Sequence, residues 1–158
     1  AFYACTSLTE IVIPSSVSKI DEYAFIACSG LKSITIPKGV IKIGKYAFKS
    51  CTGKLIIHCP IKWDTLDESL FSEIVFGDEI TVLSGDPLHR CYNVESVTIP
   101  NSLTFMDKIF RHCGRLKTIN IEQVTDNDFQ HKSNLPLNVR IRHISKDGSI
   151  IDEYTLTH

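Results

Sequence analysis

The side chains best suited to chemistry in this chain are three histidine–cysteine neighbourhoods: His58-Cys59, His89-Arg90-Cys91 and His112-Cys113. Imidazole nitrogen and thiolate sulfur are the standard ligands of zinc. A thiolate beside an imidazole is also a standard attacking group in covalent catalysis. The arrangement favours neither, and a metal-dependent site at His89, Cys91, His112 and Cys113 stands only as a third reading. His89, Cys91, His112 and Cys113 fit no metal-binding spacing, and a ligand must be able to turn toward its ion. In His58-Cys59 the neighbouring strand residues face opposite sides, so the ring cannot take the proton of the thiol. No glycine-rich phosphate loop, serine-centred elbow or paired-carboxylate motif occurs. Asp21-Glu22, Asp67-Glu68 and Asp152-Glu153 read as solvated charges. The sequence therefore assigns no catalytic residue, no metal and no cofactor, and an enzyme is not expected.

What positions the cysteines is a repeat. From Cys5 the chain reads Leu8, Ile11, Ile13, Pro14, Val17, Ile20, Ala24, Phe25; from Cys28 it reads Leu31, Ile34, Ile36, Pro37, Val40, Ile43, Ala47, Phe48. The period is 23, and Phe2, Phe25, Phe48 and Phe71 stand at that interval. Self-similarity at this length is the mark of a solenoid of stacked coils. Coils are predicted to start near residues 2, 25, 48, 71, 88, 110 and 129. In the third, Trp63 falls at the Val17 place and Leu66 at the Ile20 place, while Lys54 stands where Leu is expected and Leu55 follows it. In the fourth, Ile74 takes the Cys place, Gly77 the Leu place and Ile80-Thr81-Val82 the strand core, with Ser84–Pro87 shortening its second half. The fifth (Leu88, Cys91, Val94, Val97, Ile99, Pro100, Leu103, Met106) and the sixth (Phe110, Cys113, Leu116, Ile119, Ile121) return to the pattern. The seventh is faint, through Phe129, Leu135, Val139 and Ile141. Asp147-Gly148 is a hairpin signal, which makes 146–158 a capping hairpin after a solenoid over 1–145.

Ile11-Val12-Ile13 and Ile34-Thr35-Ile36 alternate with the period of a strand. Their Ile residues face the core, the middle residue faces out, and the following Pro ends the ladder because it has no N–H to donate. Equivalent strands stacked coil on coil run parallel. The segment Asp21–Phe25 suits a short helical turn. One outward ladder is predicted through Val12, Thr35, His58, Thr81, Thr98 and Asn120, and a second through Glu10, Ser33, Ile56, Glu79, Ser96 and Thr118. These are the candidate partner-binding residues, since solenoids use such extended faces for recognition. Thr and Ser also suit a merely solvated strand face. The same register places Cys5, Cys28, Cys51, Cys91 and Cys113 in one column and Cys59 where other coils have Ile. All six are expected as free, buried thiols.

The 158 residues carry a net charge of −1, with 43% hydrophobic and 22% charged residues. That balance suits a soluble surface over a sizeable core and argues against nucleic acid or an anionic membrane as partner. No apolar run reaches the ~20 residues of a membrane-spanning helix, and no signal-peptide pattern is present. The chain opens in mid-repeat, so it is expected to be a piece of a longer protein whose bare first coil associates end to end.

The pattern Leu-x-x-Ile-x-Ile-Pro-x-x-Val-x-x-Ile-x-x-x-Ala-Phe-x-x-Cys closely resembles the BspA-like class of leucine-rich repeats. Residues 1–60 match nearly throughout, 88–121 match well, 61–87 in part and 122–158 scarcely. The resemblance implies a leucine-rich-repeat solenoid of the α/β horseshoe type, rich in strand and poor in helix. It would hold six to seven coils on one parallel sheet. It further implies a secreted or surface-anchored, non-enzymatic adhesion module whose partner is a protein, such as one of a host matrix or surface. The class has no catalytic residues to carry over. The alternative is a structural spacer or assembly segment of a larger surface protein.

Overall fold

The computed structural model describes residues 2–61, 65–106, 109–122 and 135–157. Trp63 and Phe129 lie outside the described residues. Where three coils repeat Ser-Ile-Thr-Ile or its equivalent, the backbone is extended and alternates in burial, as the period-two pattern requires. The strands in chain order are β1 (Glu10–Val12), β2 (Lys19–Ile20), β3 (Ser33–Ile36), β4 (Lys42–Ile43), β5 (Lys54–Ile57) and β6 (Glu73–Phe76). They continue with β7 (Val82–Leu83), β8 (Ser96–Ile99), β9 (Phe105–Met106), β10 (Thr118–Glu122), β11 (Arg140–Ile144) and β12 (Ile150–Thr155). Among the described residues there is no helix.

One sheet runs β1-β3-β5-β6-β8-β10-β11-β12, parallel throughout except for the last pair. Two short parallel pairs, β2-β4 and β7-β9, edge the coils further along. Inside, Ile34, Ile36, Leu55, Ile57, Ile74, Phe76, Val97, Ile99, Ile119, Ile121 and Ile141 are all essentially inaccessible. The Phe2, Phe25 and Phe48 rings stack in a column, with centroids 5.4 and 5.6 Å apart. A parallel β-solenoid with a terminal antiparallel hairpin is therefore the architecture, in agreement with the repeat.

The expected helical turn at Asp21–Phe25 is instead a series of hydrogen-bonded turns: Ala24 N–H donates to Asp21 O, and Ile26 N–H to Tyr23 O. In three coils two residues take left-handed backbone angles on either side of the Phe position: Tyr23 and Ala27, Tyr46 and Ser50, Asp86 and Arg90. That reversal breaks a helix after one turn and lets alternate N–H groups reach the next coil. Tyr23, Phe25 and Ala27 donate to Lys45, Ala47 and Lys49 carbonyls. The backbone groups are satisfied between coils rather than within a helix.

The register corrects the middle of the chain. Ile34 pairs with Leu55, Leu55 with Ile74, and Ile74 with Val97. The fourth strand core is thus Ile74-Val75-Phe76, not Ile80-Thr81-Val82. Ile80 N–H donates to Gly77 O as Val17 N–H does to Pro14 O, so Ile80 takes the Val place and the second half of that coil is whole. Leu66, not Phe71, fills the Phe position: Ser69 N–H donates to Leu66 O as Cys51 N–H does to Phe48 O. Ser69 then occupies the Cys place, and Phe71 packs just ahead of β6. Residues are lost in the third coil, on both sides of β5, and the unslipping Phe interval at Phe71 is coincidental. Cys59 likewise does not replace the strand Ile, because Ile57 pairs with Ile36.

Candidate functional site

The outward side chains of the sheet are set by the same register. One ladder runs Glu10, Ser33, Lys54, Glu73, Ser96, Thr118 and Arg140, and the next Val12, Thr35, Ile56, Val75, Thr98, Asn120 and Arg142. Of the residues expected on this face, Glu10, Val12, Ser33, Thr35, Ser96, Thr98, Thr118 and Asn120 stand in the predicted ladders. Ile56 is on the face too, but beside Thr35 rather than Ser33. His58, Glu79 and Thr81 are not in the sheet. His58 occupies the Pro place after β5, where its N–H donates to Ile36 O, and its ring lies over Gly77, where a Cβ would come within 2.2 Å of Nδ1. Glu79 reaches back to His58 Nδ1 at 2.8 Å, and that hydrogen bond holds its carboxyl below the usual range.

The reasoning from sequence missed Lys54, Glu73, Val75, Arg140 and Arg142. The alternation in Lys54-Leu55-Ile56-Ile57 and Glu73-Ile74-Val75-Phe76 matches Ser33-Ile34-Thr35-Ile36 and could have found the first three. A fixed 23-residue step concealed it.

Burial changes along the second ladder. Val12 is 88% exposed, Ile56 and Val75 are half-buried, and Thr98 is only 5% exposed. Thr98 is therefore a floor residue, not an open one. The cause is the hairpin β11–β12, whose turn lies over the sheet, with Lys146 Nζ 3.6 Å from Asp78 Oδ2 beyond β6. Between sheet and hairpin lies a groove of about 350 Å³, with Val75, Thr98, Asn120 and Arg142 below and Gly148 and Ile150 above. Its polar groups are pre-set. Asn120 Nδ2 donates to Ser96 Oγ and Thr98 Oγ1, each at 3.3 Å, and Lys54 pairs with Glu73 at 2.9 Å. Arg142 and Arg140 both meet Glu153, and the Arg142 hydrogen bond holds that carboxyl low. Burial, with nearby Asp78, pushes the Glu122 carboxyl at the groove's end upward. The arrangement offers an aliphatic strip flanked by fixed hydrogen-bonding groups. Among the described residues that line it, no nucleophile stands beside an activating base.

The cysteines face inward and are free; five are buried and Cys5 is half-buried. Cys28 and Cys51 donate their S–H to Phe2 O and Phe25 O, both at 2.8 Å, and Cys91 donates to Leu66 O at 3.4 Å. Burial pushes the Cys51, Cys91 and Cys113 thiols up to about 12, which keeps them protonated and unreactive. Among the described residues neither Cys91 nor Cys113 joins a group of metal-ligating atoms, so the four-ligand set His89, Cys91, His112 and Cys113 is not assembled. The two histidines do meet, with ring centroids 4.8 Å apart.

A family model described as BspA type leucine rich repeat region matches this chain in six copies, over residues 1–117 and 59–136. Among solved structures, a leucine-rich repeat protein from Bacteroides ovatus is similar, with 22% identity and a TM-score of 0.36. The match covers 77% of this chain and 51% of that one, so the chain spans about half the length of that protein. No curated protein matches. No helix among the described residues is long and apolar enough to cross a membrane.

Proposed function

This chain belongs to the family of BspA type leucine-rich repeats, and we propose that it is a non-enzymatic module that binds another protein through the outward face of its sheet. The observation that carries this reading is the ladder Val12–Thr35–Ile56–Val75–Thr98–Asn120. It holds side chains that the core does not use, on a scaffold whose inward columns are closed. The half-buried Ile56 and Val75 supply the apolar centre of an interface, and Lys54, Glu73 and Arg142 its polar rim, which is the usual division of labour in protein recognition. The partner is a protein exposed outside the cell, of a host matrix or surface, and the chain is displayed or secreted there. The family resemblance supports both points.

The test is capture of matrix and surface proteins by the folded chain, followed by substitution on the outward face. Ile56→Glu with Thr35→Glu is expected to weaken capture at least about tenfold, the loss from one or two hot-spot residues, with little change in melting temperature. Capture that survives both changes, or a folded chain that captures nothing across such a panel, would leave the spacer reading in its place.

A further inference from the structure

We propose that Asp86, His89 and His112 bind a divalent transition ion of the zinc class, clamping the fifth coil to the sixth, with Asp67 as a positioning residue for His89. The site is built from turn segments, not from the sheet, and is independent of the partner-binding face. Asp86 sits two residues before Leu88 at a left-handed φ of 59°. Its Oδ2 meets His112 across the gap between the fifth and sixth coils. One ligand atom from each of the three residues can be chosen so that all lie within 4.8 Å of one another. His112 Nε2 is already 3.1 Å from Asp86 Oδ2, close to the separation of two ligands that share a zinc ion at about 2.0–2.2 Å each. The other separations are at most 4.8 Å, so a rotation of the His89 side chain is what brings it to the bond length of a shared ion.

Two further facts point to a cation. The Asp67 side chain is 5% exposed, and its Oδ1 is buried without a hydrogen bond, 3.4 Å from His89 Nδ1. A carboxylate behind one ring nitrogen directs the other nitrogen to a metal, the usual support for a zinc-bound histidine. Asp86 Oδ1 is likewise buried with no hydrogen-bond partner, although its Oδ2 faces both His112 and Arg111 Nε, the latter at 3.2 Å. The Arg111 side chain is mostly exposed and can move into water when an ion takes up that charge. Two imidazoles and a carboxylate select zinc-like ions over calcium or magnesium. Three protein ligands leave one position for water.

The experiment uses the whole 158-residue chain, stripped with chelator and titrated with Zn²⁺ and Co²⁺ at pH 7.5. One equivalent of Zn²⁺ is expected to bind, and at a hundredfold excess over Kd to raise the melting temperature by about 5–10 °C. The Co²⁺ complex is expected to show visible bands without thiolate charge transfer. His89→Gln and His112→Gln are expected to abolish binding, Asp67→Asn to weaken it about 10–100-fold, and His58→Gln to leave it unchanged. In the unaltered chain, imidazole NMR signals of His89 and His112, not of His58, should shift with Zn²⁺; this readout needs no variant to fold. No stabilisation at 100 µM Zn²⁺, thiolate bands with Co²⁺, or imidazole shifts confined to other histidines would overturn the site and leave only a cluster of His–Asp ion pairs.

Discussion

A cysteine recurs in five coils because its position needs a small apolar side chain that can also donate one hydrogen bond. Phe25 O already accepts Cys28 N–H, and Cys51 S–H from the next coil adds a second donor at 2.8 Å. Ser69, at this place in the fourth coil, contacts Cys91 Sγ at 3.7 Å, consistent with a donor requirement rather than a disulfide. The column and its free thiols could be read directly from spacing; the carbonyl each thiol serves could not, because that carbonyl lies 26 residues earlier in the chain. Two outcomes follow. A thiol reagent at pH 8 should modify no more than one group in the native chain, half-buried Cys5, and all six in denaturant. The folded-state values near 12 lie above the ordinary value of 9. The stability they confer is therefore complete below pH 9 and is lost as pH rises toward 12, at about 1.4 kcal/mol per pH unit for each thiol. Urea midpoints at pH 8 and 10.5 for the parent and for Cys51→Val measure this. A Cys51→Val variant as sensitive to alkali as the parent would contradict it.

At the scale of elements, neighbouring coils approach closely enough that particular places admit no side chain. A Cβ on Gly30 would lie 2.0 Å from Thr6 O, a rigid backbone atom of the preceding coil, whereas Gly114, in the corresponding turn after Cys113, has nothing within 4 Å. Gly30→Ala is expected to destabilise by about 1–3 kcal/mol through overpacking. Gly114→Ala should be neutral or stabilise by about 0.4–1 kcal/mol through the unfolded chain. Equal denaturation midpoints for the two variants would show that the coils are not seated as described. Strands β1, β3, β8 and β10 could be placed from sequence because their coils differ in length by at most one residue. Strands β5 and β6 could not. Alternation fixes which residues share a face but not which coil lost residues, and Phe71 at a multiple of 23 disguised the loss. The hairpin was foreseen from Asp147-Gly148, but not its turn lying over the sheet, since Lys146–Asp78 joins positions far apart in sequence.

For the whole molecule, each coil buries its apolar residues only against its neighbours, so the two ends are unlike the middle. The far end is covered by β12. At the near end, β1 is paired on one edge only among the described residues, and an apolar hollow of about 390 Å³ opens there among Ile11, Ile13, Val17, Ile20 and Phe25. Amide exchange should therefore be slowest in β5, β6 and β8 and fastest in β1, with protection rising inward coil by coil rather than uniformly. For the isolated 158-residue chain, association through this edge is the expected outcome. A parallel ladder edge beside an apolar face is a ready template for a second copy. Light scattering should give a mass that rises with concentration, and Ile13→Lys, which sets a charge in the hollow, should return it toward the monomer while leaving exchange in β8 unchanged. A strictly constant monomer mass for the parent chain over a hundredfold concentration range would show that this end needs no cover.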